Sequence, residues 1–200
     1  MKTKHLVPLL ILFLSIVLGA STLFAGARSW ELDKAHGNIY FSVDHIFSKI
    51  RGKFEDFTLA LNFDPADLAG SSFLFTIEVE SINTGIPKRD KHLLSEDFFD
   101  AAKFPQIVFE STSITDAGDS LYEVAGTLTI KGKTYDLTLP FKLEGVKEHP
   151  AKKGTEVAGF NGSIMFDRLA HGVGNGKFYE MGIVGKDVDI FVSLEVLAEQ

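Results

Sequence analysis

In the stretch VAGTLTIKGKTYDLTLPFKL (residues 124–143), two runs of alternating residues flank Lys131-Gly132-Lys133. Tyr135, Leu137, Leu139, Phe141 and Leu143 point one way, and Thr134, Asp136, Thr138 and Lys142 point the other. A period of two puts successive side chains on opposite faces of a strand, so both runs read as half-buried strands closed by a hairpin at the central glycine. The same alternation recurs on both sides. Phe57, Leu59, Leu61 and Phe63 form one set, Phe73, Phe75, Ile77 and Val79 a second, and Val188, Ile190, Val192, Leu194 and Val196 a third. Further strands are expected near 37–44, 106–115, 121–130 and 157–167, with turn chemistry at Asp64-Pro65 and at 116–119. About eight strands on short links predict an all-β, antiparallel sheet that must close on itself or pair with another to protect its edges.

Two segments break this rhythm. Residues 85–104, GIPKRDKHLLSEDFFDAAKF, show no alternation, and Ser95 to Phe99 is expected to form a short helix before Phe104-Pro105 stops it. Residues 169–184 are rich in glycine and read as a long loop between the last two strands.

The front of the chain is a short basic stretch, Met1 to His5, then an apolar run from Leu6 to Leu18, then small residues ending in Ala25-Gly26-Ala27. This is the pattern of a secretory signal peptide, so residues 1–27 are expected to be removed and 28–200 to form one exported domain outside the cytoplasm. There is no cysteine, so no disulfide or lipid thioether is available. Loss of Lys2 and Lys4 takes the formal charge from −7 to −9, which argues against nucleic acid and limits membrane contact to a transient one. The chain carries 18 phenylalanines, more than a small core needs, and those rings must pack together or face a ligand.

Enzyme templates are not met. There is no Gly-x-Ser-x-Gly and no P-loop, and Gly172-Val173-Gly174-Asn175-Gly176 lacks the following helix that a dinucleotide site needs. No histidine stands at metal-site spacing, so neither a metal nor a catalytic residue is expected. His45 ends the apolar run 39–43. Lys88-Arg89-Asp90-Lys91-His92 is the densest polar cluster and precedes Leu93-Leu94 and Phe98-Phe99. A basic group beside apolar side chains suits an amphiphile, whose head Arg89 can grip at two points, but capping of a short helix explains the cluster equally well.

Three blocks of sequence resemble the YceI family of lipid-binding proteins. The first holds Trp30, Phe41, Val43, His45, Gly52 and Phe54. The second runs from Ile82 and Thr84 through Arg89-Asp90, His92-Leu93, Asp97-Phe98-Phe99-Asp100 and Phe104-Pro105 to Phe109. The third is the hairpin with Gly126, Leu128, Thr129, Ile130 and Gly132. The resemblance implies an extended, eight-stranded lipocalin-like barrel with one short helical insertion, periplasmic and often a homodimer. It also implies a long-chain lipid as partner, such as an isoprenoid, an isoprenoid quinone or a prenyl phosphate, and no cofactor. On that basis Phe41, Phe73, Phe75, Phe98, Phe99 and Phe109, with Tyr135 and Phe141, are the expected tail contacts. His45, Arg89, Asp90, His92 and Arg168 are expected at the polar end. One departure is that Leu169-Ala170-His171 follows Arg168 where the family carries an aromatic element. Two rivals stand beside this expectation: a solid-cored structural or partner-binding domain, and a lipid-modifying enzyme using His45 with Asp90.

Overall fold

A computed structural model describes residues 26–199, so the signal-peptide expectation falls, except for Gly26 and Ala27, outside the described residues. Eleven strands follow in order: β1 Ser29–Leu32, β2 Asn38–His45, β3 Ser48–Phe54, β4 Phe57–Asn62, β5 Ser72–Glu78, β6 Ile82–Asn83, β7 Gln106–Gly118, β8 Leu121–Ile130, β9 Lys133–Glu148, β10 Thr155–Asp167 and β11 Val184–Glu199. All pairings are antiparallel.

Eight of these strands close a barrel. The ring runs β1-β4-β5-β7-β8-β9-β10-β11 and returns to β1 through Glu31↔Leu197 and Leu32↔Val196. The short β1 covers only the C-terminal end of β11. The N-terminal part of β11 pairs instead with β2, and β3 and β6 follow outward from it. β9 and β11 are each 16 residues long, about 50 Å at the usual strand rise, which makes the barrel elongated. Register shifts at Ser111/Ser113, Gly159/Phe160 and Val184/Val188 let these long strands coil.

The hairpin that anchors the sequence argument is present. Lys131 (φ 49°) and Gly132 (φ 70°) both take left-handed backbone between β8 and β9, as a tight two-residue connection demands. The helix lies elsewhere than expected. Residues Pro87–Leu93 form α1, and Ser95 to Phe99 instead make successive turns, Phe98 N–H to Ser95 O among them. Pro87 sits at the start of α1, where its missing N–H costs nothing. The glycine-rich stretch between β10 and β11 also contains a single helical turn, α2 Lys177–Glu180.

The interior has two parts. At the end built by β1, β4 and the C-terminal part of β11, Phe63 packs edge-on against Tyr122, Phe160 and Phe73, with ring centroids 5.0, 5.2 and 6.1 Å away. The indole N–H of Trp30 donates to Phe63 O at 3.0 Å, so even the polar edge of this plug is satisfied. Towards the other end the rings thin out into a cavity, and residues 85–104 and 168–183 cover it.

Candidate ligand tunnel

The cavity has a volume of 190 Å³ and runs between the barrel wall and β2, under the cover. Phe75 and Phe141 form its floor, stacked at 6.1 Å and 12°. Ile39, Phe41 and Val43 of β2 supply one wall, and Val188, Ile190 and Val192 of β11 the adjoining one. Phe98 and Phe99 close it from the cover. For scale, a dry engineered cavity of about 150 Å³ accommodates benzene. The space therefore takes one short apolar segment, and a longer chain needs the cover to move.

Glycines on neighbouring strands hold the space open. A Cβ at Gly52 would collide with the Phe41 ring, one at Gly126 would come within 2.8 Å of Phe109 Cζ, and one at Gly162 within 3.1 Å of the Phe141 ring. At Gly126 and Gly162 a backbone carbonyl is nearer still, Glu110 O at the first and Pro140 O, at 2.8 Å, at the second, so only at Gly52 is the ring the first thing a side chain would meet. Gly52→Ala is expected to push Phe41 into the tunnel. Stability should fall by about 1–3 kcal/mol from overpacking, and uptake of an apolar fluorescent probe should weaken while circular dichroism keeps its β signature. Probe binding at the wild-type level would show that Phe41 has somewhere else to go.

One charged side chain lines the tunnel. Arg168, only 6% exposed, donates from Nε to Gly185 O at 2.8 Å, from Nη1 to Val173 O at 3.0 Å and from Nη2 to Val184 O at 3.4 Å. Its guanidinium lies 5.9 Å from the Phe98 ring centre. Burial pushes its pKa down, against the pull of neighbouring Asp167. Gly174, at φ 95°, leaves the room that Nη1 occupies. The carbonyls hold the cation in place but do not neutralise it, so the tunnel carries a fixed positive charge beside an aromatic face.

The expected site residues divide. Phe41, Phe75, Phe98, Phe99, Phe109, Phe141 and Arg168 all line the tunnel. Phe73 belongs to the plug, and the Tyr135 ring packs 4.6 Å from His171 instead. Arg89 and Asp90 clasp Thr84. Arg89 donates to Thr84 Oγ1 and O, both at 2.7 Å, and Asp90 accepts from the Thr84 N–H at 3.0 Å and from its hydroxyl. His92 joins the two halves of the cover. Its ring meets Phe98 at 5.2 Å and Phe178 at 5.8 Å, and Nε2 lies 3.0 Å from Asp97, which also accepts from Asn175. His45 sits at the far end of β2 opposite Ser48 and Val184, and among the described residues no hydrogen bond joins it to Asp90. His171 supplies a ring in the loop that follows Arg168, stacking on Phe166 at 4.1 Å.

The lining from β2 and β11 was available as alternation in the sequence, but alternation does not say which face of which strand meets the hollow. Among the described residues one group of potential metal ligands converges, Asp33, His36 and Glu195. It lies at the other end of β2 from His45 and is tied by the His36–Asp33 pair at 2.8 Å, whose hydrogen bond raises the histidine pKa and lowers that of Asp33.

Comparison with known proteins agrees with this architecture. Protein YceI of Escherichia coli is 33% identical over 186 residues, covering 92% of this chain and 93% of that protein. A UPF0312 protein of Vibrio cholerae is 34% identical over 152 residues, 74% of this chain and 79% of that protein. The crystal structure of Burkholderia cenocepacia BcnA superposes with a TM-score of 0.72 at 30% identity, covering 84% of this chain and 99% of the other. A polyisoprenoid binding domain from Saccharophagus degradans shares the fold alone, with a TM-score of 0.58 at 15% identity over 86% of this chain and 99% of that one. The model of the YceI-like domain matches residues 30–196, nearly the whole described barrel, and the chain belongs to that family.

Proposed function

We propose that this protein is a non-enzymatic carrier, exported to the periplasm, that holds the tail of a long-chain lipid of isoprenoid type in the barrel. The observation that carries this reading is the hollow itself. A domain that existed only to present a surface would gain stability by filling 190 Å³ of apolar space, and this one leaves it open, with Gly52 giving the Phe41 ring room beside it. Each CH₂ buried there contributes roughly 0.8 kcal/mol, so a chain binds well by burial alone. Phe41, Phe75, Phe98, Phe99, Phe109 and Phe141 hold the tail, and Arg168 faces the polar end, suited to a phosphate or a quinone carbonyl. The Saccharophagus degradans domain is described as polyisoprenoid binding, which suits the same class of cargo. An acid–base mechanism needs two converging ionisable groups, and in the pair His45 with Asp90 the carboxylate is engaged by Thr84.

The test is native mass spectrometry of protein purified from a periplasmic fraction, followed by solvent extraction. The expected result is one discrete adduct per chain that releases an isoprenoid. A bare mass that persists after incubation with isoprenoid quinones and prenyl phosphates would move the weight to a partner-binding domain.

A further inference from the structure

We propose that the turn joining β2 to β3, with the α2 turn beside it, docks on the surface of a phospholipid bilayer, Ile46 and Phe47 entering the interfacial layer. Phe47 is fully exposed and Ile46 57% exposed. The Ile46 N–H donates to Ile183 O at 3.0 Å, which ties the turn to the segment leaving α2, where Tyr179 and Met181 are also exposed. Four large apolar side chains thus meet solvent at one end of the molecule.

The turn is costly to keep in this form. Ile46 takes a left-handed backbone, φ 51°, a region that excludes most side chains and β-branched ones above all. Glycine or asparagine would make the same connection without strain and without exposed carbon. A bulky apolar residue at a strained, solvent-facing position is the kind of feature that function preserves.

Its place in the fold says what it meets. Phe178, inside α2, stacks on the tunnel residue Phe98 at 6.0 Å and 13°, so the inner face of α2 backs the tunnel cover while its outer residues join the tip. A second protein is a poor fit. A fully exposed phenylalanine offers roughly 200 Å², and these four side chains fall short of the ~800 Å² per partner of a stable interface. A bilayer needs no matching shape. The local charges are mixed, with Lys177 and Glu180 on α2 and Lys49 bridged to Asp44 and Asp189, and the whole chain is acidic. Docking is therefore apolar, works on zwitterionic lipid and responds little to salt. It rests on the carrier reading only for its use, since a lipid carrier collects and delivers cargo at a bilayer.

The test places its readout at the tip, because residues 6–18 are apolar in their own right. The full chain carrying F47W is mixed with phosphatidylcholine–phosphatidylethanolamine vesicles, plain or with brominated acyl chains. Trp30, buried in the plug, gives the background from wild type. The new indole is expected to shift to the blue and to be quenched by bromine, at low and high salt alike. In the F47W background I46G should lower this vesicle association about tenfold or more while staying as stable as its parent or more so, and F47S, which lacks the tip indole, should lower by a similar factor the vesicle co-sedimentation of protein purified from a periplasmic fraction. An indole that stays unquenched, or quenching that salt abolishes, overturns the proposal. So does a change of assembly state in F47S by analytical ultracentrifugation, which would make the tip a contact between copies. Cargo delivered from detergent should load F47S as it loads wild type. Quenching at the tip in a protein that never takes cargo would uphold docking and reject the carrier.

Discussion

Phe73→Ala is expected to lower the free energy of unfolding by about 3–5 kcal/mol, the largest loss from any single truncation in the barrel. Phe73 is 1% exposed and reaches four rings: Phe141 at 5.5 Å, Phe63 and Phe160 at 6.1 Å and Phe75 at 6.5 Å. Those rings belong to β5, β9, β10 and the residue following β4, so the truncation opens a void that no one strand can collapse into. Urea unfolding should show an earlier midpoint with an unchanged slope. The same variant should still take up an apolar probe, because Phe73 lies in the plug below the tunnel. A loss under about 1 kcal/mol would mean the plug relaxes freely, and the division of the interior into solid and hollow halves would fail.

That division is also where the sequence stopped being legible. Alternation identified β4, β5, β9 and β11 because each has one face towards carbon and one towards water. It passed over β1, which has four residues, and β3, where Lys49, Arg51, Gly52 and Lys53 interrupt any apolar period. β3 lies in the outer extension and has no fully buried residue, so tertiary burial never imposed a pattern on it. The helix forms at 87–93 and not at 95–99 because Pro87 starts it and the backbone turns again after Leu94. The Phe98 and Phe99 rings serve the tunnel from turns, while Pro87 marked the real start. Arg89 and Asp90 illustrate the other limit. A basic cluster next to aromatic residues looks the same whether it faces a ligand or, as here, clasps its own backbone at Thr84. Arg168 sits in the tunnel because a loop 16 residues long folds back so that Val173 O within it and Val184 O and Gly185 O at the start of β11 receive the side chain, and no local pattern encodes that return.

Phe99→Asp should abolish ligand retention where Arg89→Ala leaves most of it. Phe99 lines the tunnel and meets Phe54 edge-on at 6.1 Å, so a carboxylate there must lose water against carbon whenever a tail enters. That costs several kcal/mol if the group stays ionised, more than a few CH₂ contacts return. Arg89→Ala removes two hydrogen bonds to Thr84 and loosens the entry to α1, a loss of about 1–3 kcal/mol in stability without touching the lining. Phe99 is only half-buried, so the aspartate variant should fold, which near-wild-type circular dichroism would check. The pH dependence separates charge from shape. Desolvation raises the pKa of the introduced carboxyl. Retention by F99D should therefore recover as pH falls through that raised value and the group becomes neutral, while wild type stays level over the same interval. Adduct stoichiometry by native mass spectrometry reads both variants. Should Arg89→Ala lose more ligand than Phe99→Asp, the head-group contact would outweigh the tail, and the basic cluster on α1 would have to reach the cargo in a state with the cover open.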